Sequence, residues 1–208
     1  MKTILVSFLF LSIILTAKTF AQATSVNDPD KLKLDAITLR IRKGDEATIS
    51  EIADIKPELS VPAIARTAQS KADPERMELA RATLSRIKGV EDYLKGKIDA
   101  LVGKQGVDAI DERCDQMKIL ALVRTNKAIR IIASYLFDDK SPGFSGGDYS
   151  IVSNKVHAAI LLDYMDFPNP PRGAEFYKTD DEYVEAWRAW WLKHKDEFAD
   201  SKPYKGAK

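Results

Sequence analysis

The segment Gly143-Phe144-Ser145-Gly146-Gly147 has the spacing G-x-S-x-G. In one class of hydrolases this pattern holds a nucleophilic serine on a strained turn between a strand and a helix. Ser145 is therefore a candidate nucleophile, and its general base would have to be His157 or His194, the two histidines of the chain. However, the residues before Gly143 are predicted to be a helix followed by a polar segment. Without a preceding strand, the pattern favours a flexible turn over a catalytic one.

The two histidines do not have the spacing of a metal site. His157 lies in a nearly all-apolar predicted helix, and His194 lies on a stripe of tryptophans. The sequence has no H-E-x-x-H or H-x-x-x-H pattern, no paired cysteines and no calcium-loop pattern. We therefore expect no metal and no cofactor, and we interpret both histidines as packing or surface residues.

Cys114 is the only cysteine of the chain and cannot form an intrachain disulfide. It shares a helical stripe with Ile110, Met117 and Ala121, which predicts a buried thiol that packs as a small apolar side chain. The alternative is a disulfide between two copies of the chain.

The aromatic residues are concentrated in the C-terminal part, because all but one of those beyond residue 23 follow residue 134. Several lie in or beside two loops rich in glycine and proline, where they lack helical neighbours. Loops that carry such side chains are candidate binding surfaces, although loop aromatics also fold back to cover helix ends. The predicted binding residues are Phe144, Tyr149, Arg172, Phe176 and Tyr177.

The elements that must position these residues are helices. Apolar residues recur at spacings of three and four through most of the chain, which predicts an all-α fold of about eight short helices. Asp73-Pro74-Glu75 and the capping box Thr179 to Glu182 indicate two helix starts, and the second helix is expected to run to about Phe198. Predicted breaks fall at residues that disfavour helix: Gly44, Pro57, Pro62, Gly89, Gly103 and Gly106.

A weak internal repeat accompanies these helices. At an offset of 41 residues, Leu79-Ala80 aligns with Leu120-Ala121 and then with Leu161-Leu162. The segment from Lys118 to Asp139, KILALVRTNKAIRIIASYLFDD, resembles one unit of a HEAT-like α-solenoid, with an apolar first helix, a short polar turn, an alanine-rich second helix and an acidic end. Val156 to Met165 is similar to the start of a following unit.

The resemblance implies short antiparallel helix pairs stacked as a HEAT-like superhelix that binds other proteins through its concave face. Stacking of helix pairs is physically expected, since a single helix pair cannot bury its own apolar face. The linker from Asp166 to Lys178 is too long for a standard turn of such an array, and the N-terminal helices fit the period poorly. An irregular helical bundle is therefore the alternative.

The N-terminus has the pattern of an export signal. Lys2 precedes an apolar run from Ile4 to Leu15, and Ala21-Gln22-Ala23 provides small residues for cleavage. We expect residues 1–23 to be a signal peptide, residues 24–198 a single helical domain and residues 199–208 a disordered tail. The apolar run is shorter than the roughly 20 residues of a membrane helix, so no membrane span is expected after cleavage. The predicted location is periplasmic or secreted.

The charge balance argues against a nucleic-acid partner. Removal of residues 1–23 takes away Lys2 and Lys18 and no acid, so the formal net charge changes from +1 to −1. The sequence therefore favours an exported helical binding or scaffold module for another envelope or extracellular protein, without catalysis. Two alternatives remain open: a small hydrolase that uses the Gly143–Gly147 loop, and a purely structural helical homodimer.

Overall fold

A computed structural model describes residues 28–146, 149–165 and 167–200, and these residues are mostly helical. The predicted all-α fold class is confirmed. The predicted signal peptide lies outside the described residues, as do residues 201–208 of the predicted tail. The first two residues of that tail, Ala199 and Asp200, are held by hydrogen bonds from Asn126 and Arg130.

The described residues form eight α-helices, several 3-10 helices and one short hairpin. The α-helices are α1 (Pro29–Arg42), α2 (Pro57–Gln69), α3 (Pro74–Leu84), α4 (Val90–Asp99), α5 (Val107–Val123), α6 (Asn126–Ser134), α7 (Asn154–Asp163) and α8 (Asp180–His194). The 3-10 helices are Glu46–Asp54, Tyr135–Phe137, Ala174–Phe176 and Lys195–Phe198. The antiparallel strands of the hairpin are β1 (Phe144–Gly146) and β2 (Tyr149–Ile151).

Both predicted helix starts are present. The Asp73 carboxylate accepts a hydrogen bond from the Arg76 backbone N–H at 3.0 Å and caps α3. The Thr179 hydroxyl accepts one from the Glu182 N–H at 3.2 Å and caps α8. The other half of the predicted capping box differs, because Glu182 accepts from the N–H of Lys178 at 2.8 Å, one residue before the cap.

Pro62 does not break the chain as predicted but lies inside α2. Proline in a helix interior costs about 3 kcal/mol relative to alanine. On the other side of the helix, Val61, Ile64 and Ala65 are buried in the core. Burial of an apolar side chain contributes about 1.5–3 kcal/mol, so packing of these neighbours outweighs the cost of the proline.

The helices share one continuous apolar core that runs from Ile37 in α1 to Phe198 after α8. Successive elements lie against each other, as α2 does on α3, α4 on α5 and α7 on α8. The HEAT-like superhelix remains a prediction. Of the described helices, none combines the length and the apolar composition that crossing a membrane requires.

A buried arginine ties together two connections of the chain, the one between α4 and α5 and the one between α6 and α7. The side chain of Arg113 in α5 is fully buried. Its Nη1 donates to the carbonyl oxygens of Leu101 and Lys104 at 3.0 and 2.8 Å, and its Nη2 donates to that of Pro142 at 3.1 Å. Its Nε donates to the side-chain oxygen of Asn154 at the start of α7, at 3.2 Å. The guanidinium thus joins the α4–α5 turn to both ends of the segment that carries the hairpin.

The charge of Arg113 is balanced through Asn154. The amide nitrogen of Asn154 donates to the Asp138 carboxylate at 2.9 Å, and that carboxylate also accepts from the backbone N–H groups of Lys140 and Ser141. Burial acts to raise the pKa of Asp138, but the hydrogen bonds outweigh it and hold this pKa below its ordinary value. Arg113, Asn154 and Asp138 therefore form a satisfied polar network inside the fold.

We expect Arg113→Leu to lower the free energy of unfolding by about 3–5 kcal/mol, because it leaves three buried carbonyl groups and the side-chain oxygen of Asn154 without their donor. Arg113→Lys should restore only part of the loss, since an ammonium cannot reproduce the planar fork of a guanidinium. Urea unfolding followed by circular dichroism measures both changes. The control is Arg86→Leu at an exposed position of the 84–89 turn. Equal stabilities of Arg113→Leu and Arg86→Leu would contradict the structural role of Arg113.

Candidate functional site

Ser145 does not lie on a turn between a strand and a helix. It is the middle residue of β1 and pairs with Ser150 of β2. The residues directly before β1 are irregular, and the 3-10 helix Tyr135–Phe137 precedes them. The sequence suggested a flexible turn here, whereas the structure has a hairpin. At its base a Cβ on Gly143 would lie 2.6 Å from the carbonyl oxygen of Ile151, so the close approach of the two backbones requires glycine.

Both histidines pack against other residues of the fold. The ring of His194 stacks on Trp190 with 4.7 Å between centroids, and its Nδ1 lies 2.8 Å from a carboxylate oxygen of Glu197. His157 is buried in α7, and within the described part of the chain its Nδ1 has no hydrogen-bond partner. Within the described residues, neither imidazole forms a hydrogen bond with Ser145. Among the described residues there is no group of histidine, cysteine and acidic side chains that could hold a metal ion.

Cys114 is a free thiol in the interior of α5. Burial raises its pKa to about 11, so the thiol is protonated at neutral pH. Because the thiolate is the reactive form and the sulfur is covered, a disulfide to a second copy would require local opening of α5.

The aromatic residues between α7 and α8 differ in exposure, and some are buried while others face solvent. Phe167 is buried and contacts Trp187, Trp190 and Phe198. It belongs to the core that α8 builds. Phe176, in contrast, is 64% exposed.

We define the aromatic linker as residues 167–179, between α7 and α8. It is held at both ends. Near its start, the indole N–H of Trp190 donates to the carbonyl oxygen of Asn169 at 2.9 Å. Asn169 has a positive φ of 52°, a left-handed conformation that asparagine tolerates better than most residues. Near its end, Tyr177 contacts Tyr183 of α8 with 5.6 Å between ring centroids.

Between these anchors the linker presents an aromatic ring and a cation. Residues Ala174–Phe176 form one 3-10 turn, closed by a hydrogen bond from the Phe176 N–H to the Gly173 carbonyl oxygen at 3.0 Å. The guanidinium carbon of Arg172 lies 5.7 Å from the centroid of the Phe176 ring, within cation–π distance. Arg172 and Phe176 are both exposed, so the pair faces solvent.

The predicted binding residues are therefore distributed over two places. Arg172, Phe176 and Tyr177 lie together on the aromatic linker, with Tyr177 half-buried against the core. Phe144 is half-buried in β1, and Tyr149 lies in β2 opposite Gly146. The anchors of the linker were not predicted. The Pro-Asn-Pro sequence at 168–170 favours an extended asparagine, because the residue before a proline avoids helical conformations, and the bond to Trp190 depends on tertiary packing.

In comparisons with known protein families, characterised proteins and solved structures, the chain matches no family, no characterised protein and no solved structure. The resemblance to HEAT-like units therefore remains a prediction from the sequence.

We expect His157 to make the fold sensitive to acid. Burial lowers the pKa of His157 from about 6.5 to about 4, with Lys118 acting in the same direction and Asp115 opposing it. As the pH falls from about 6.5 to about 4, the unfolded chain takes up a proton that the native state excludes. Stability should therefore fall by up to about 1.4 kcal/mol per pH unit, or about 3 kcal/mol in all.

The measurement is urea unfolding at a series of pH values from 7 to 4, compared with His157→Leu. The variant should lose stability less steeply in this window, because it lacks the proton uptake of the histidine. Parallel stability curves for the two proteins would show that His157 is not the group that titrates.

Proposed function

We propose that this chain is an exported helical binding module that acts on another protein without catalysis, and that the aromatic linker is its binding surface. The observation that carries the proposal is the exposed Phe176 ring with Arg172 over it, on a segment that is anchored at both ends. A large apolar side chain in this position costs solubility, and its exposure is explained if a partner covers it.

The chemistry of the pair suits protein recognition. Arginine and large aromatic residues are enriched among the few interface residues that provide most of the binding free energy. Phe176 can fill an apolar pocket, while the guanidinium of Arg172 can bond to a carboxylate or a backbone carbonyl at the rim.

The anchors support the same function through preorganisation. Ordering a loop on binding costs conformational entropy, which reduces affinity. Here Trp190 and Tyr183 belong to α8, which lies in the aromatic core with Trp187 and Trp191. The linker is thus positioned by a helix that is packed in the core, and little of the binding free energy is needed to order it.

An envelope or extracellular partner is part of the proposal because of the predicted signal peptide, residues 1–23. The hydrolase alternative gains no support from Ser145, which lies within a hairpin strand. The homodimer alternative is addressed by the same experiment as the proposed function, since the partner could be a second copy.

A photo-crosslinking amino acid at position 176 should capture one defined protein of the cell envelope when the full chain is expressed in its host. The same substitution at position 192, where Leu192 of α8 is also exposed, is the matched control and should not capture it. With the purified partner, Phe176→Ala should weaken binding about 30-fold or more, the effect of a hot-spot residue of at least 2 kcal/mol.

Three outcomes would contradict the proposal. Equal capture from positions 176 and 192 would indicate nonspecific contact. An unchanged affinity of Phe176→Ala for the captured protein would remove the linker as the binding surface. A crosslink only to a second copy of the chain would favour the structural homodimer.

A further inference from the structure

A cleft with a volume of about 360 Å³ lies where α2, α3, α5 and α7 meet. This volume is at the lower end of the roughly 300–1,000 Å³ of small-molecule sites. Its floor is apolar and comes from Leu122 of α5, Leu161 of α7 and Met165 after α7. Leu161 and Met165 are also part of the buried core, so the floor is fixed by packing. Tyr164, the most exposed of the described large apolar side chains at 83%, lies at its edge.

The polar part of the cleft is cationic. Arg81, Lys118 and Arg124 line it, and no aspartate or glutamate is among its described lining residues. Two acids beside the cleft hold these cations in position. Glu78 lies 2.8 Å from Arg81 and 3.8 Å from Arg124, and Asp115 lies 3.0 Å from Lys118. Arg81 is further fixed by donating its Nε–H to the Ala68 carbonyl oxygen at 2.9 Å.

Arg124 occupies a backbone conformation that does not suit an arginine. It ends α5 with φ 53° and ψ 46°, the left-handed region that glycine adopts at no steric cost. Local folding alone would favour glycine or asparagine at this helix end. A non-glycine residue in this region is uncommon, and strained positions of this kind cluster at ligand-binding sites. Here the side chain of Arg124 brings a positive charge to the cleft.

We propose that this cleft binds a small amphipathic monocarboxylate, such as a medium-chain fatty acid. The alkyl chain lies on the floor formed by Leu122, Leu161 and Met165, and the carboxylate binds among the three cations. The match is one of charge and polarity: apolar side chains line the cleft beside three cations, and the two acids paired with these cations leave a net charge of +1 for a monocarboxylate. A guanidinium can bind a carboxylate through two parallel hydrogen bonds, which gives the site its preference for a carboxylate head group.

This site goes beyond the proposed function and can fail independently of it. The residues that form the cleft belong to α2, α3, α5, α7 and the turn after α7, whereas the proposed protein-binding pair lies on the aromatic linker. A variant at Arg124 therefore tests the cleft and leaves Arg172 and Phe176 unchanged.

The test is isothermal titration calorimetry of the full chain with octanoate. Two probes with the same alkyl chain are the controls: octan-1-ol lacks the charge and octylammonium reverses it. We expect saturable binding of octanoate, at least tenfold weaker binding of octan-1-ol and no binding of octylammonium. Absence of saturable octanoate binding, or equal affinity for octanoate and octan-1-ol, would overturn the proposal.

The variant that separates binding from folding is Arg124→Gly. It removes one cation and relieves the left-handed backbone, so its stability should equal or exceed that of the wild type while octanoate binds at least tenfold more weakly. Arg124→Lys should retain only part of the affinity, because an ammonium keeps the charge but not the two parallel hydrogen bonds, and Arg42→Gln, an exposed substitution on α1, should retain all of it. Ala121→Phe, which places a ring in the cleft, should abolish binding. Unchanged octanoate affinity in Arg124→Gly or Ala121→Phe would exclude this cleft.

Discussion

The burial of Arg113 is the constraint on which the central part of the structure depends. A guanidinium without access to water must find hydrogen-bond acceptors inside the protein, because an unpaired buried charge is strongly destabilising. The fold supplies three backbone carbonyls and Asn154. These acceptors come from the α4–α5 turn, the segment after α6 and the start of α7. The arginine therefore fixes how two irregular connections meet, and so it sets the place from which the hairpin leaves the helical body.

A second group of contacts fixes the C-terminal surface. The tryptophans of α8 pack against Phe167 and Phe198, and Trp190 uses its one polar atom to hold the carbonyl of Asn169. The same helix that fills the core thus also positions the aromatic linker. As a result, the exposed pair of Arg172 and Phe176 depends on the core for its geometry. Arg113, in contrast, fixes the connection between α6 and α7.

Periodicity and capping residues predicted the class of the fold and many of its boundaries. Asp73 and Thr179 are caps because a short polar side chain at these positions bonds to the next helical turn, an effect that is local in sequence. The hairpin at Phe144 and the burial of Phe167 were not predictable in this way, since both depend on residues far along the chain. Among the predicted binding residues, Arg172 and Phe176 were chosen by residue type and loop context, and the structure places both on the surface. The cleft at Arg124 was missed because its lining comes from four separate helices. The only local sign of the cleft in the sequence is that α5 ends at Arg124 and not at a glycine.

Native-state amide hydrogen exchange tests most directly whether the aromatic linker is a preformed surface. The backbone N–H groups of Phe176, Tyr177 and Lys178 donate to the Gly173 and Ala174 carbonyls and to the Glu182 carboxylate, respectively. If the linker is held as described, these three amides exchange more slowly than their intrinsic rates in the free protein. Exchange at the intrinsic rates would show that the linker is not ordered before a partner binds, and it would contradict this account.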